Sequence, residues 1–316
     1  MLDSFGIAFS AVAPFLIYLG LGYLIVSTRM ADRQFMNELN KVTFRVLFPI
    51  LMFYNIYHAS ARDMPSLKLI LTAVLSILGL TALLLWAVPR IIPENPRRGV
   101  VIQGVFRSNY MLYGLPLALY VFGSENTGIA GIMVMIVVAV FNTLAVVVLE
   151  LFHGEGRVNV RALPLKLIRN PLLQGCLLGL AFFLLGWRLP AFLEPPVSSL
   201  ANMTTPLALI TLGGTLQFSA MKKNRRILFA ALTAKLILVP LLMLAIGWGV
   251  GLRRVELFLY LMIFATPVAA ASYPMAVNMG GDGELAGQMV FLSTVVSLLT
   301  VFLFIFSLSA AGMLTA

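Results

Sequence analysis

The sequence has little of what a soluble protein or a disulfide scaffold needs. Only 11% of its 316 residues are charged, whereas 60% are hydrophobic. A soluble domain carries about 25% charged residues, so this composition excludes a soluble globular protein. Cys176 is the single cysteine, which excludes an intrachain disulfide and a cysteine metal cluster.

Catalytic and cofactor motifs are also scarce. His58 and His153 are the only histidines, and neither lies beside a second metal ligand in the sequence. The G-x-x-x-x-G-K-[ST] loop that cradles phosphates is missing, which argues against ATP hydrolysis by this chain. Nothing in the sequence suggests a buried nucleophile with a base. We therefore expect no enzyme activity, no cofactor and no bound metal.

Long apolar runs are what the sequence does have. Runs of roughly 18 to 23 residues, long enough to cross a bilayer, recur along the whole chain. The first run has no positive flank and no small-residue cleavage site, so it is interpreted as a retained span. We predict an all-α polytopic membrane protein with ten transmembrane helices. The predicted ranges are 5–27, 39–58, 67–89, 99–121, 128–150, 168–187, 198–218, 227–250, 255–278 and 285–312.

The placement of positive charge predicts an orientation. The net charge is +10, but the basic residues lie in short loops such as 95–99 and 222–226. Loops on one side hold 14 Lys and Arg, and those on the other side hold 5. Positive loops stay in the cytoplasm and contact lipid headgroups, so both termini are expected outside. This pattern favours membrane lipid, and not nucleic acid, as the partner of the basic residues.

The chain also matches itself at an offset of 157 to 158 residues. The matched pairs are Pro14 with Pro171, Gly22 with Gly179, Pro49 with Pro206, and Pro116 with Pro274. We predict a first repeat of five helices over 1–152, a cytoplasmic link over 153–167, and a second repeat over 168–316. Because five is odd, the second copy enters the membrane from the opposite side. Such inverted repeats are typical of secondary transporters.

Prolines interrupt the fourth and ninth predicted helices. A proline in a helix interior removes a hydrogen bond and costs roughly 3 kcal/mol. In hydrocarbon, broken backbone survives only inside protein or beside a cavity. The stretches 106–120 and 264–278 are therefore predicted to be broken helices that cross at a midplane substrate site. A simple packing kink is the alternative.

Three stretches together resemble the auxin efflux carrier family, which includes bacterial malate and malonate permeases and plant PIN carriers. They are SNYMLYGLPLALYVFG (108–123), TTPLALITLGGTL (204–216) and ATPVAAASYPMAVNMGGD (265–282). The resemblance extends over essentially the full chain. The link between the halves is short, unlike that of the plant carriers, which favours the prokaryotic branch and a bacterial inner membrane.

The resemblance implies a fold similar to sodium/proton antiporters and bile acid symporters. Helices 1, 2, 6 and 7 would form a scaffold that dimerises, and helices 3–5 and 8–10 would form a mobile transport domain. In the family, an asparagine and the crossover prolines flank the substrate, roles that fall here on Asn109, Pro116, Pro267 and Pro274. Family members often have glycine where this chain has Met111, which narrows that part of the pocket.

Polar groups near the breaks complete the predicted site. Hydroxyl and amide donors beside half-helix N-termini can hold a carboxylate without a full countercharge. Asn142 either lines the cavity or bonds to another helix. The predicted substrate-binding residues are Asn109, Tyr113, Gly114, Pro116, Asn142, Thr266, Pro267, Ser272, Tyr273 and Pro274.

Two cations, Arg107 and Lys235, fall inside predicted spans. Each either serves substrate binding, charge balance or coupling, or extends to the interface as a snorkelling anchor. No Asp or Glu falls in the middle of a span, which disfavours a cation antiporter and favours an organic anion carrier.

We therefore predict a secondary transporter of a small organic anion that works by alternating access, with H⁺ or Na⁺ coupling left open. The substrate would be a mono- or dicarboxylate such as malate or malonate, or an auxin-like acid. One alternative is a sodium-coupled carrier of a bulkier amphipathic anion, similar to the bile acid symporters. Another is a ligand-sensing membrane receptor that does not transport.

Overall fold

The computed structural model describes residues 2–58, 65–122, 127–153, 169–216 and 221–313. Within these ranges the regular structure is helical, with no strand. The helices are α1 (Leu2–Ser27), α2 (Arg33–Val42), α3 (Phe48–Tyr57), α4 (Leu67–Ile91), α5 (Asn95–Phe106), α6 (Tyr110–Phe122), α7 (Thr127–Leu151), α8 (Pro171–Leu185), α9 (Glu194–Thr215), α10 (Met221–Thr233), α11 (Val239–Val250), α12 (Arg254–Ala265), α13 (Ser272–Asn278) and α14 (Gly283–Ala310).

A helix or a pair of helices occupies each of the ten predicted ranges. The second range begins earlier than predicted, because Asp32 caps α2 by accepting a hydrogen bond from the Phe35 amide at 2.7 Å. Most of the predicted link, 153–167, lies outside the described residues.

Two π-helical segments keep paired helices continuous. Thr43–Leu47 joins α2 to α3, and Ala234–Leu238 joins α10 to α11. In both cases a proline, Pro49 or Pro240, is the second residue of the following helix and has no N–H to donate. The residue before each proline donates instead to the carbonyl five residues back, which inserts a π-bulge.

Within the described ranges, four helices are long and apolar enough to cross a membrane. They are Leu67–Ile91, Ile129–Leu151, Lys222–Val250 and Gly283–Ala310. On α4, Leu71, Leu75 and Leu78 are exposed, so one face of this apolar helix is uncovered by protein. An apolar face of this length is suited to contact with lipid chains. The chain is a multi-pass membrane protein.

Glycines bring two pairs of helices into close contact. A Cβ on Gly22 of α1 would lie 1.9 Å from the Ile210 carbonyl oxygen on α9, and one on Gly179 of α8 would lie 2.8 Å from that of Phe53 on α3. The two glycines, Gly22 and Gly179, differ by 157 in residue number, and so do the two residues that they contact, Phe53 and Ile210. The α1–α9 and α3–α8 contacts are therefore equivalent under the sequence offset.

The remaining helices pack around the broken ones. α5 contacts α4, α7 and α14, while α6 contacts α7 and α12. α13 packs on α14, and α10 also packs on α14. As a result, residues 257–265 of α12 and 99–106 of α5 are buried on every side.

Candidate functional site

The two predicted helix breaks are present, and they touch each other. α5 ends at Phe106 and α6 begins at Tyr110, while α12 ends at Ala265 and α13 begins at Ser272. The Asn109 amide donates a hydrogen bond to the Pro267 carbonyl oxygen across 2.8 Å. The breaks therefore form one crossover whose backbone groups partly satisfy one another, as burial away from water requires.

Local sequence explains the second break. Pro267 disfavours helical geometry at the residue before it, and Thr266 is extended, with φ −74° and ψ 155°. The other two predicted crossover prolines, Pro116 and Pro274, do not break a helix. Pro116 lies within α6, and Pro274 is the third residue of α13. The side chain of Pro116 is outside the described part of the chain.

A cavity of about 530 Å³ opens beside the crossover. Its walls come from α1, α3, α7 and α9, from the two breaks and from the first turn of α6. The lining residues are Pro14, Tyr18, Phe48, Leu51, Met52, Asn55, Arg107, Ser108, Asn109, Tyr110, Met111, Val138, Phe141, Asn142, Ala201, Asn202, Thr205, Pro206, Leu209, Ala269, Ala270 and Ala271.

Among the described residues of this cavity wall, Arg107 is the one with a charged side chain. It follows the last residue of α5, not the helix interior that the sequence predicted, and only 3% of it is exposed. Its guanidinium donates to the Asn142 Oδ1 at 2.5 Å and to the Met275 Sδ at 2.6 Å. Since a thioether is a weak acceptor, one side of the guanidinium lacks a strong partner. The snorkelling alternative is wrong for this residue.

Lys235 lies in the π-helical segment between α10 and α11 and is fully buried. Its ammonium donates to the Ser108 Oγ at 2.5 Å. Ser108 itself lines the cavity, so the lysine is separated from the cavity by one hydroxyl group. Here too, snorkelling is wrong, because the side chain points into the protein.

The sequence left two positions open for Asn142, on the cavity wall or in contact with another helix, and in the structure it occupies both. It lines the cavity, and its amide nitrogen contacts the Met52 Sδ on α3 at 2.7 Å while its oxygen accepts from Arg107. It thus connects α7 to α3 and fixes the position of the guanidinium.

The structure separates the predicted site residues into groups. Asn109, Asn142 and Arg107 line the cavity, and Pro267 holds Asn109 through its carbonyl oxygen. Tyr273 lines a second cavity of about 200 Å³, where its hydroxyl lies 2.5 Å from the Thr215 Oγ1 on α9. Among the predicted residues whose side chains the structure describes, those that border neither cavity are Tyr113, Gly114, Thr266, Pro267, Ser272, Pro274 and Lys235.

Two of these outlying residues carry buried, unpartnered hydroxyls. Within the described residues, the Thr266 Oγ1 and the Ser272 Oγ have no hydrogen-bond partner. A Cβ on Gly114 would lie 2.5 Å from the ring of Tyr110, so this glycine makes room for a tyrosine that borders the cavity.

Sequence reasoning missed the cavity wall opposite the crossover. Asn55 on α3 and Asn202, Thr205 and Pro206 on α9 line it. The available signal was the polar groups in otherwise apolar helices, FYNIY (53–57) and ANMTTPL (201–207). Within the described ranges, no three His, Cys, Asp or Glu side chains are grouped to hold a metal ion.

Apolar helices of membrane-spanning length around a buried, broken-helix crossover define the class of membrane transport proteins. The chain belongs to the membrane transport protein family that contains the auxin efflux carriers, whose profile matches residues 7–305. The resemblance stated from the sequence is thereby confirmed.

Two relatives match nearly the whole chain. An "Uncharacterized transporter" of Methanothermobacter thermautotrophicus is 25% identical over 293 residues, which cover 92% of this chain and 94% of the relative. A "Putative malonate transporter" of Rhizobium meliloti is 24% identical over 298 residues, which cover 92% of each chain.

Proposed function

We propose that the protein is a secondary transporter that binds a small organic anion, a mono- or dicarboxylate, in the cavity beside the crossover. The observation that carries this proposal is Arg107, a buried guanidinium on the cavity wall with a sulfur atom as one of its acceptors. A carboxylate accepts two parallel hydrogen bonds from a guanidinium and is a far stronger partner than a thioether. Substrate binding would therefore replace the Met275 contact.

Other groups at the cavity also suit an anion. Asn109 and Tyr110 lie at the start of α6, where free backbone N–H groups and the helix dipole favour negative charge. Apolar side chains of α1, α3 and α9 form much of the opposite wall. A small carboxylate with a short carbon chain matches both surfaces, and the name of the Rhizobium relative suggests malonate as a first candidate.

Alternating access is the mechanism that we propose for it. The ten helical ranges would cross the inner membrane as two inverted repeats, with both termini outside. α1, α2–α3, α8 and α9 would form the scaffold, through which the protein would dimerise. The helices around the crossover would form the moving unit. The equivalent glycine contacts of α1–α9 and α3–α8 support the repeat.

Labelled-substrate counterflow in proteoliposomes tests the proposal. Vesicles loaded with unlabelled malonate, malate, succinate, lactate or indole-3-acetate would receive the same labelled acid outside. We expect accumulation of label for at least one acid, a strong loss in Arg107→Gln, and partial retention in Arg107→Lys, which keeps the charge but not the two-pronged geometry. Asn109→Ala should also weaken transport.

Asn278→Ala is the matched control, because Asn278 lies on α13, bonds to the Pro274 carbonyl oxygen at 2.7 Å, and borders neither cavity. Unchanged counterflow in Arg107→Gln and Asn109→Ala would contradict the proposed site. Absence of counterflow for every acid in the wild-type protein would contradict the proposed substrate class.

A further inference from the structure

The second cavity, of about 200 Å³, follows the large cavity along the same two parts of the chain. On α9, residues between 201 and 209 border the large cavity, and residues between 212 and 216 border the second one. In the second break, Ala271 borders the large cavity, whereas Tyr273 of α13 borders the second. A helix rises about 1.5 Å per residue, so the gap of three residues on α9 is about 4.5 Å long. The two cavities are therefore consecutive spaces along one interface.

A hydrogen bond and apolar packing hold α9 against α13 and α14 at the second cavity. The Tyr273 hydroxyl lies 2.5 Å from the Thr215 Oγ1. A Cβ on Gly287 of α14 would lie 2.7 Å from the Leu212 Cδ1, so this glycine allows α14 to approach α9 closely. Neither contact involves a charged group. Because breaking a buried ion pair is costly and none is present in these contacts, α9 can separate from α13 and α14 here at a low cost.

One face of α2 brings polar side chains to this interface. Arg33, Asn37 and Asn40 are spaced four and three residues apart, which places them on the same side of the helix. Arg33 and Asn37 border the second cavity, Asn40 is fully buried, and α2 packs on α9 and α13. Within the described residues, neither the Nδ2 nor the Oδ1 of Asn40 has a hydrogen-bond partner. A buried amide without partners is destabilising, so the conformation seen here is disfavoured relative to one in which water reaches Asn40.

Arg33 is the cation of the second cavity, and its guanidinium is available to a ligand. It is exposed, and within the described residues it has no hydrogen-bond or ion-pair partner. A guanidinium binds a carboxylate through two parallel hydrogen bonds. Glu284 of α14 also borders this cavity and accepts a hydrogen bond from the Gln288 Nε2 at 3.0 Å. Because the Glu284 carboxylate repels an anion that Arg33 attracts, an anion would be held weakly here, as release requires.

We propose that Arg33 and Asn37 form a second anion-binding site on the transport path, on the side that the charge pattern assigns to the cytoplasm. This inference rests on the proposed function, since it takes the anion from the cavity at Arg107 to the second cavity. The path opens when the Tyr273–Thr215 hydrogen bond breaks and α13 moves away from α2 and α9. The same movement gives the Asn40 amide water as a partner, which offsets part of the cost of opening.

The test measures the KM for labelled acid separately from each face of the membrane. Right-side-out and inside-out vesicles that contain the full-length protein are compared, with vesicles that lack it as background. The acid is malonate, or the member of the counterflow panel that the carrier takes if it is not malonate. Arg33→Gln should raise the KM from the cytoplasmic face about threefold or more, the magnitude of an exposed charge pair, and leave the KM from the outer face unchanged. Arg33→Lys should give a smaller rise, because it keeps the charge without the two-pronged geometry.

Lys41→Gln is the matched control for the loss of charge. Lys41 lies on the same helix, is 49% exposed and borders neither cavity. The KM from the cytoplasmic face should stay unchanged in this variant. A rise equal to that of Arg33→Gln would show that the surface charge of α2 matters and that a site at Arg33 does not exist.

Cysteine labelling tests the path without measuring transport. Asn40→Cys, in a Cys176→Ala background, should react with an impermeant thiol reagent added at the cytoplasmic face, although Asn40 is fully buried in this structure. The reaction should be faster when Tyr273→Phe is added, because that change removes the hydrogen bond to Thr215. A residue with a purely structural role in the helix packing would stay unreactive in both backgrounds.

The outcomes separate this inference from the proposed function. Uptake by the wild-type protein with an unchanged KM at both faces in Arg33→Gln would overturn the second site and leave the anion transporter intact. A rise confined to the outer face would overturn its placement on the cytoplasmic side. Failure of Asn40→Cys to react, with or without Tyr273→Phe, would overturn the path along α2. Absence of uptake from both faces for every acid of the panel would overturn the proposed function together with this inference.

Discussion

The backbone amide of Asn109 donates a hydrogen bond to the carbonyl oxygen of Pro267 across 2.8 Å. These residues are 158 positions apart, the same offset that relates Pro116 to Pro274 in the sequence. The hydrogen bond therefore joins equivalent points of the two broken helices. Because one break supplies the N–H donor and the other supplies the carbonyl acceptor, the two breaks are held together as one unit. A ligand bound at Asn109 is therefore bound to both breaks.

Gly22→Ala should lower the stability of the folded protein. The added methyl group would lie 1.9 Å from the Ile210 carbonyl oxygen on α9, and neither helix backbone can move away without losing contacts along its length. Overpacking of this kind costs about 1–3 kcal/mol. We expect a lower melting temperature in detergent, measured by scanning fluorimetry.

Gly20→Ala is the matched control for this change. Gly20 lies on the same helix, two residues away, and a Cβ there would meet nothing within 4 Å. Equal melting temperatures for the two variants would show that the close α1–α9 contact does not limit stability.

Asn202→Cys should be labelled by a membrane-impermeant thiol reagent added outside. Asn202 borders the large cavity and is exposed, and the charge pattern places its end of α9 outside the cell. The measurement needs a Cys176→Ala background, which removes the single natural cysteine. Substrate should slow the labelling because it occupies the same cavity.

Lys223→Cys, exposed at the start of α10, is the control on the opposite side. It should react only after the membrane is permeabilised. The reverse pattern would show that both termini face the cytoplasm.

Tyr273→Phe should lower the population of the conformation seen in this structure. The Tyr273 hydroxyl lies 2.5 Å from the Thr215 Oγ1, and this contact connects α13 near the crossover to α9 on the opposite wall. Because the Thr215 Oγ1 is also 3.0 Å from the Thr211 carbonyl oxygen, the tyrosine is the natural donor. Loss of one such bond is worth about 0.5–1.5 kcal/mol, or roughly a two- to tenfold shift in the conformational equilibrium.

The labelling rate of Asn202→Cys reports this shift, and it should fall in the Tyr273→Phe variant. Thr215→Ser retains a hydroxyl at the same position and should keep the original rate. An unchanged rate in Tyr273→Phe would mean that this hydrogen bond does not favour either conformation.

Transport should be independent of sodium. Two oxygen atoms at the crossover already have protein donors, since the Pro267 carbonyl accepts from Asn109 and the Ser108 hydroxyl accepts from Lys235. The described residues that line the large cavity include no carboxylate to attract a cation. Replacement of sodium by potassium on both sides should leave malonate counterflow essentially unchanged. A strict requirement for sodium would instead favour the sodium-coupled carrier of a bulkier anion.

Much of the architecture could be predicted because it depends on local chemistry. The apolar runs predicted the helices, and Pro267 predicted the break after α12, since proline removes a backbone hydrogen bond from a helix. Arg107 was less well predicted, because no proline or glycine marks the end of α5 at Phe106. The sequence placed this residue within a helix, whereas it lies in the extended break.

The sequence by itself determined the membrane class, the helical ranges and the break after α12, because these follow from hydropathy and from the backbone limits of proline. Only the tertiary structure decided which polar groups share a cavity. Lys235 meets Ser108 across 127 positions, and Arg107 meets Met275 across 168, through the packing of α5 against the π-helical segment and α13. Such contacts depend on how helix faces fit together, and no local pattern of residues specifies that fit.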